Sequence, residues 1–213
     1  MHIENARLVS PSVARKLVAP VLAPRLAARS LDIALLKDLL LPGVDDSGEV
    51  LLLPDGAVIG GDLMLDWPEA TFEGRSYCGV VAAGALTVTG DILNETADPG
   101  TFLVALGALR VRSIVQSAMT LVATGPITAS DRISCELSRG TIRAYGGLRA
   151  RELIIGDERL DPAGSPDALK LVLMDVEAAE MLLPDLFYGD CRAAASSAGD
   201  LSRALGARIK ASA

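Results

Sequence analysis

The sequence predicts a mainly β protein: a single-stranded β-solenoid (β-helix) of about five turns, with helical flanking elements at its N- and C-termini. Three observations predict it. Five segments repeat around a shared glycine. Within each, apolar and polar residues alternate as they do in a strand with one buried face. The apolar content is also of an unusual kind. Half of the 213 residues are hydrophobic, yet only 3% are aromatic and 20 are glycine. Small and medium aliphatics suit thin stacked layers better than a thick globular centre.

The segments are AVIGGDLMLD from Ala57, VVAAGALTVT from Val80, LVALGALRVR from Leu103, LVATGPITAS from Leu121 and IRAYGGLRAR from Ile142. They superpose on Gly61, Gly84, Gly107, Gly125 and Gly146, which are 23, 23, 18 and 21 residues apart. Two residues after each glycine stand Leu63, Leu86, Leu109, Ile127 and Leu148, and four after stand Leu65, Val88, Val111, Ala129 and Ala150. These even offsets are expected to face inward. The odd offsets are expected to face solvent. They are Met64, Thr87, Arg110, Thr128 and Arg149, then Asp66, Thr89, Arg112, Ser130 and Arg151. A second strand should follow each first one and point Ile92, Val115, Ile133 and Ile154 inward, all eight residues after their glycines. The glycines are expected where the chain bends or where layers approach closely. The stretches Trp67 to Gly79 and Asn94 to Thr101 should bulge as loops.

An open stack of turns exposes strand edges and an apolar layer at each end, and such ends need covers. The expected organisation is therefore an N-terminal helical cap over residues 1–49, a solenoid over 50–162, and a C-terminal strand and helical cap over 163–213. Residues 5 to 28 read as a helix interrupted by proline. Ser30 to Leu41 read as another, with Ser30 as N-cap and Pro42-Gly43 as the stop. Residues 50 to 53 read as the start of the first layer. Leu169 to Met174 alternate like a last strand. Helices from Asp175 to Leu183 and from about Asp200 to Ile209 complete the reading.

Several chemistries lack their residues. The single histidine is His2, which removes Ser-His-Asp and Cys-His catalysis and histidine metal centres. It also disfavours the hexapeptide-repeat acyltransferases. No Walker A or dinucleotide glycine fingerprint occurs. Lysine is missing between Lys37 and Lys170. Cys78, Cys135 and Cys191 are too scattered for a disulfide framework and read as small buried hydrophobes in a reducing compartment. The net charge of −7 argues against nucleic acid and anionic membranes as partners. No run is long and apolar enough to span a bilayer. The expectation is a cytoplasmic, bacterial-type protein with no catalytic, metal or cofactor residues and no small-molecule substrate.

The remaining candidates are surface residues. Arg110 and Arg112 should project from the third turn, and Arg149 and Arg151 from the same columns two turns later. Such a basic stripe in an acidic protein suits a carboxylate-bearing partner. Trp67 and Glu69, in the loop after the first turn, complete the candidate partner-binding set. Asp62 and Asp66, with Glu69 and Glu73, are the carboxylates that a calcium-dependent β-helix enzyme would use.

The run GALTVTGDI, with GDLMLD before it and GALRVRSIV after it, resembles the bactofilin, or polymer-forming cytoskeletal, type of bacterial β-solenoid over about residues 57–160. That resemblance implies short turns around an aliphatic core and end-to-end assembly into filaments. The Gly-Asp unit of that family stands here at Gly61-Asp62-Leu63 and Gly90-Asp91-Ile92. Three functions follow for test. The first is a non-catalytic protein-interaction module presenting a solenoid face to a protein partner, as a toxin-neutralising or accessory protein would. The second is a polymer-forming structural protein that self-associates. The third is a carbohydrate-active β-helix enzyme.

Overall fold

The computed structural model of the chain describes residues 3–27, 48–66, 69–96, 101–135, 141–155, 159–162 and 167–173. Within them the chain is mainly β, with parallel sheets and one helix. The helices expected at 30–41, 175–183 and 200–209 lie outside the described residues, and so does Trp67.

The chain opens with β1 (Arg7–Val9) and α1 (Pro11–Ala27). A first turn follows as β2 (Val50–Leu53), β3 (Ala57–Ile59) and β4 (Leu63–Met64), then a hairpin of β5 (Thr71–Phe72) and β6 (Arg75–Ser76). The second turn is β7 (Gly79–Ala82), β8 (Leu86–Val88) and β9 (Asp91–Asn94). The third is β10 (Phe102–Ala105), β11 (Leu109–Val111) and β12 (Ser113–Gln116). The fourth is β13 (Thr120–Ala123), β14 (Ile127–Ala129) and β15 (Arg132–Cys135). Then come β16 (Thr141–Ala144) and β17 (Leu148–Ile155), and last β18 (Arg159–Pro162) and β19 (Asp167–Leu173).

Corresponding strands of successive turns pair in parallel. Flank A is β2-β7-β10-β13-β16-β18. Flank B is β3-β8-β11-β14 and the first half of β17. Flank C is β4-β9-β12-β15 and the second half of β17. β19 pairs along both halves of β17. This pairing is compatible with a β-helix. Inward residues of all three flanks, such as Leu103, Leu109 and Ile114, belong to one buried aliphatic cluster.

The register corrects the first repeat. Flank B pairs Ala57 with Leu86, and flank C pairs Leu63 with Ile92. Leu63 therefore does not share the column of Leu86, and Gly61 stacks under Gly90, not Gly84. Superposing Gly61 on Gly84 puts the segment from Ala57 one strand out of phase. The cause is a coincidence of spacing: Gly61 precedes Gly84 by the same 23 residues that separate Gly84 from Gly107. The second strands need a correction too. The inward column is Leu63, Ile92, Ile114, Ile133 and Leu153. Val115 and Ile154, expected inward, stand one place on and are half-buried. Four residues separate Val88 from Ile92, but only three separate Val111 from Ile114 and Ala150 from Leu153. A corner shortened by one residue turns every following side chain to the other face.

The remaining glycine column has a steric cause. Gly107, Gly125 and Gly146 stack at the corner between flanks A and B, joined by Gly125 N–H to Gly107 C=O (2.9 Å) and Gly146 N–H to Gly125 C=O (3.2 Å). A Cβ at Gly107 would lie 2.6 Å from the Ala85 amide nitrogen, and one at Gly125 would lie 2.8 Å from that of Ala108. In the first turn this corner holds Asp55, whose Oδ1 accepts the Ala85 N–H at 2.7 Å. Gly61 is different: it has open space but a φ of +92°, a left-handed turn position.

The first layer is covered. β1 adds antiparallel to β2, pairing Leu8 with Leu51. The stretch expected to bulge as a loop, from residue 69 on, instead folds inward. Ala70, Phe72 and Tyr77 join Ile3 in the central aliphatic cluster. The Tyr77 hydroxyl donates to the Met64 carbonyl on edge strand β4 at 3.0 Å, satisfying a backbone acceptor that has no neighbouring strand. The aromatic pair in this loop thus supplies what an exposed end layer lacks.

α1 covers a flank and not an end. Ser10 precedes it and its carbonyl accepts the Val13 N–H (3.0 Å), while Pro11 occupies the first helical position, where its missing N–H costs nothing. Ala14, Val18 and Leu22, four residues apart, form one buried stripe. They pack on the outward residues of flank A, among them Leu52, Val81, Phe102, Val104 and Val122. That explains why both faces of β7 and β10 are buried. Pro20 and Pro24 lie within the helix. Each removes a backbone hydrogen bond, so packing and not propensity holds α1. Burying Val18 and Leu22 contributes about 1.5–3 kcal/mol each.

Candidate functional site

The four arginines do not form one stripe. Arg110 and Arg149 project from flank B, whereas Arg112 and Arg151 stand at the corner between flanks B and C. Backbone bonds stack that corner as Gly61, Gly90, Arg112, Asp131 and Arg151, for example Asp131 N–H to Arg112 C=O at 2.8 Å. The stacking brings opposite charges together. Arg112 makes a bidentate pair with Asp91, Nε to Oδ1 at 2.8 Å and Nη2 to Oδ2 at 2.7 Å. Its Nη2 also lies 3.7 Å from Asp62. Arg151 pairs with Asp131 at 2.6 Å. The hydrogen bond from Arg112 holds the Asp91 carboxyl below the usual carboxylate range, and Asp91 raises Arg112 in turn. These two arginines are exposed, as expected, but their charge is spent within the stack.

On flank B the outward column runs Val58, Thr87, Arg110, Thr128 and Arg149, in register. No ion pair of Arg110 is present among the described residues. Arg149 sits beside Thr128 on one side and pairs in register with Asp167 on the other. A shallow groove of about 350 Å³ runs over Thr128, Gly146, Gly147 and Arg149. Val58, at the first layer, is 57% exposed, the most exposed large apolar side chain among the described residues. Glu69 is exposed in the turn before β5.

Asp66 corrects another expectation. The alternation of the repeat places it facing solvent, yet it is 5% exposed. Its Oδ1 accepts from the Asn94 amide (2.8 Å), the Thr96 hydroxyl (2.7 Å) and the Thr96 N–H (3.1 Å), and its Oδ2 accepts the Glu95 N–H (2.8 Å). Burial pushes its pKa up, but these donors outweigh it and the net shift is downward. Asn94 is fully buried and continues the network. Its Oδ1 accepts the N–H groups of Ser117 (3.3 Å), Ala118 (2.9 Å) and Met119 (2.9 Å). One turn later, Gln116 occupies the Asn94 column and donates to the Met119 carbonyl at 3.0 Å. This buried ladder ties the C-to-A corner of three turns together. Sequence reading missed it, although polar Asn94 and Gln116 each closing an aliphatic strand is its visible signal.

Asp62 is likewise structural: its Oδ1 accepts the Asp91 N–H at 2.8 Å. The space over Gly90 is filled by that carboxylate, which accounts for glycine there. Among the described residues no three His, Cys, Asp or Glu side chains are grouped to hold a metal ion. Cys78 is half-buried, with its Sγ 3.1 Å from the Glu49 carbonyl; the side chains of Cys135 and Cys191 lie outside the described residues. No described helix is long and apolar enough to cross a membrane. No family model matches this chain, and neither does any curated protein or solved structure.

Proposed function

We propose that this chain is a β-solenoid serving as a non-catalytic protein-interaction module, and that flank B faces its partner. The observation that carries the reading is the contrast between flanks. Flank A lies beneath α1, whereas flank B leaves Val58, Arg110 and Arg149 exposed on a flat parallel surface. Arg110, set between two threonines and outside the corner ladder, suits a carboxylate on the partner. A cytoplasmic protein that neutralises or accompanies that partner fits this chemistry. The covering of the first layer by β1, Phe72 and Tyr77 weighs against bactofilin-type growth from that end. Asp66 is buried with both carboxylate oxygens held by structural donors, and Asp62 Oδ1 is held by the Asp91 N–H, which weighs against a carbohydrate-active site built on this pair.

Two measurements test the proposal. Size-exclusion chromatography with light scattering should return a discrete low-order species; a concentration-dependent ladder or filaments would favour the polymer reading. Affinity capture should then recover a protein with the wild-type chain and lose it with Arg110→Glu. Equal recovery by both chains would remove flank B from the account.

A further inference from the structure

α1 has a second apolar stripe that flank A does not use. Val13 and Leu17 are 39% and 40% exposed, and Pro20 and Pro24 are exposed as well. At 100° per residue these four fall within about 60° of one another, on the side of α1 away from Ala14, Val18 and Leu22. A helix apolar on two sides is built to be covered on two sides. Beside Leu17 the surface is concave. A cavity of about 510 Å³ is lined by Leu17, Leu52, Leu53, Pro54 and Ala83 together with Asn5, Ala6 and Arg7. That volume admits one or two inserted side chains and lies within the range of ligand clefts.

Charge says what covers it. Residues 6–27 hold Arg7, Arg15, Lys16 and Arg25 and no carboxylate. The whole chain carries −7, so the remainder carries −11 against +4 here. Arg7 and Lys16 are both exposed and border the stripe. The geometry points to α1 as a docking surface for an acidic, amphipathic segment of a partner protein, whose apolar side chains fill the cavity beside Leu17 while its carboxylates meet Arg7 and Lys16. An anionic membrane is the rival occupant of a basic apolar helix. Two features favour protein: a cleft wants inserted side chains, and a body of −11 repels an anionic surface. This inference does not rest on flank B.

The test replaces Leu17 with a photoreactive benzophenone amino acid and irradiates the cells that make the chain. Ser12, exposed on another side of α1, serves as the control position. The expected result is a protein adduct from position 17 and not from 12. Its crosslinked peptide should be net acidic with interspersed apolar residues. Lys16→Glu combined with Arg7→Glu should cut the yield about fivefold or more, as charge reversal at a complementary interface does. Both sites are exposed, and an unchanged circular dichroism melt confirms that the variant folds. The proposal is overturned by equal adducts from both positions, by a neutral or basic peptide, by an adduct with this chain itself, or by insensitivity to the charge reversal. Sedimentation with phosphatidylglycerol vesicles that depends on Lys16, without a protein adduct, would overturn it in favour of a membrane.

Discussion

Asn94→Ala isolates the energetic weight of the buried ladder. Asn94 is fully buried, and its carbonyl oxygen is the acceptor for the amides of Ser117, Ala118 and Met119. Alanine leaves three backbone donors facing a cavity. An orphaned buried donor costs about 1–3 kcal/mol. The three share one acceptor, so their costs do not add at full value, and the bottom of the range gives about 3 kcal/mol in total. Asp66 keeps its three other donors, so its side adds little. For a chain of this length, each kcal/mol lowers Tm by about 2–4 °C, which makes the expected fall about 6–12 °C. Urea denaturation followed by circular dichroism, with calorimetry alongside, measures it. Gln116→Ala is the internal comparison. Gln116 makes one such bond, to Met119, and its Oε1 already lacks a partner, so its loss should be nearer about 1 kcal/mol. A deficit for Asn94→Ala below about 1 kcal/mol, or a larger deficit for Gln116→Ala, would refute the assignment of the ladder as the clamp between turns.

Four further outcomes are open to measurement. Gly125→Ala should destabilise by about 1–3 kcal/mol because its Cβ meets fixed backbone, while Gly61→Ala, with open space but a φ of +92°, should destabilise through backbone strain alone and Gly61→Asn by less; chemical denaturation separates them. Asp66 and Asp91 titrate below their ordinary 3.8 when folded, so their stabilisation is complete above about pH 4 and fades as pH falls below it. Acid denaturation should therefore be shallower in Asp66→Asn. Burial pushes the Tyr77 hydroxyl up to about 12, so stability should fall as pH rises past about 10. The phenolate absorbance should show a late-titrating tyrosine that Tyr77→Phe abolishes. Phe72→Ala should cost about 3–5 kcal/mol, and light scattering should show self-association as the first layer opens.

The repeating columns of turns two to five were legible because burial leaves little freedom along a half-buried strand. Val80, Leu103, Leu121 and Ile142 fall in one register, as their spacing implied. The first turn was not legible from glycine alone. Two kinds of glycine look identical in a sequence: Gly61 bends the chain, and Gly84 yields space to Asp55. Only the partner strand tells them apart. The displaced second strands had the same origin, since a one-residue difference at Arg112 or Arg151 leaves no compositional mark. The arginine columns were read correctly as outward. Their neutralisation was hidden, because Asp91 and Asp131 reach Arg112 and Arg151 only through stacking of turns about 20 residues apart.

That stacking also sorts the charges by what they are available to do. A side chain at a corner meets the same corner of the next layer about 4.8 Å away, so acids and bases placed there find each other. Asp62, Asp91, Arg112, Asp131 and Arg151 are consumed in this way. Exposed pairs of this kind add little stability; what they do is remove charge from the outside world. On the proposed reading, recognition uses charges that stacking does not reach. On flank B, Arg110 has threonine above and below it. On the N-terminal segment, Arg7 and Lys16 lie outside the turns altogether, on elements with no acid of their own. An acidic body that neutralises its corner arginines leaves positive charge at Arg110, two layers along flank B from the exposed Val58, and at Lys16, beside the exposed Leu17 on α1. Salt should weaken binding at either place, while the corner ladder and the fold it accompanies are left largely unchanged.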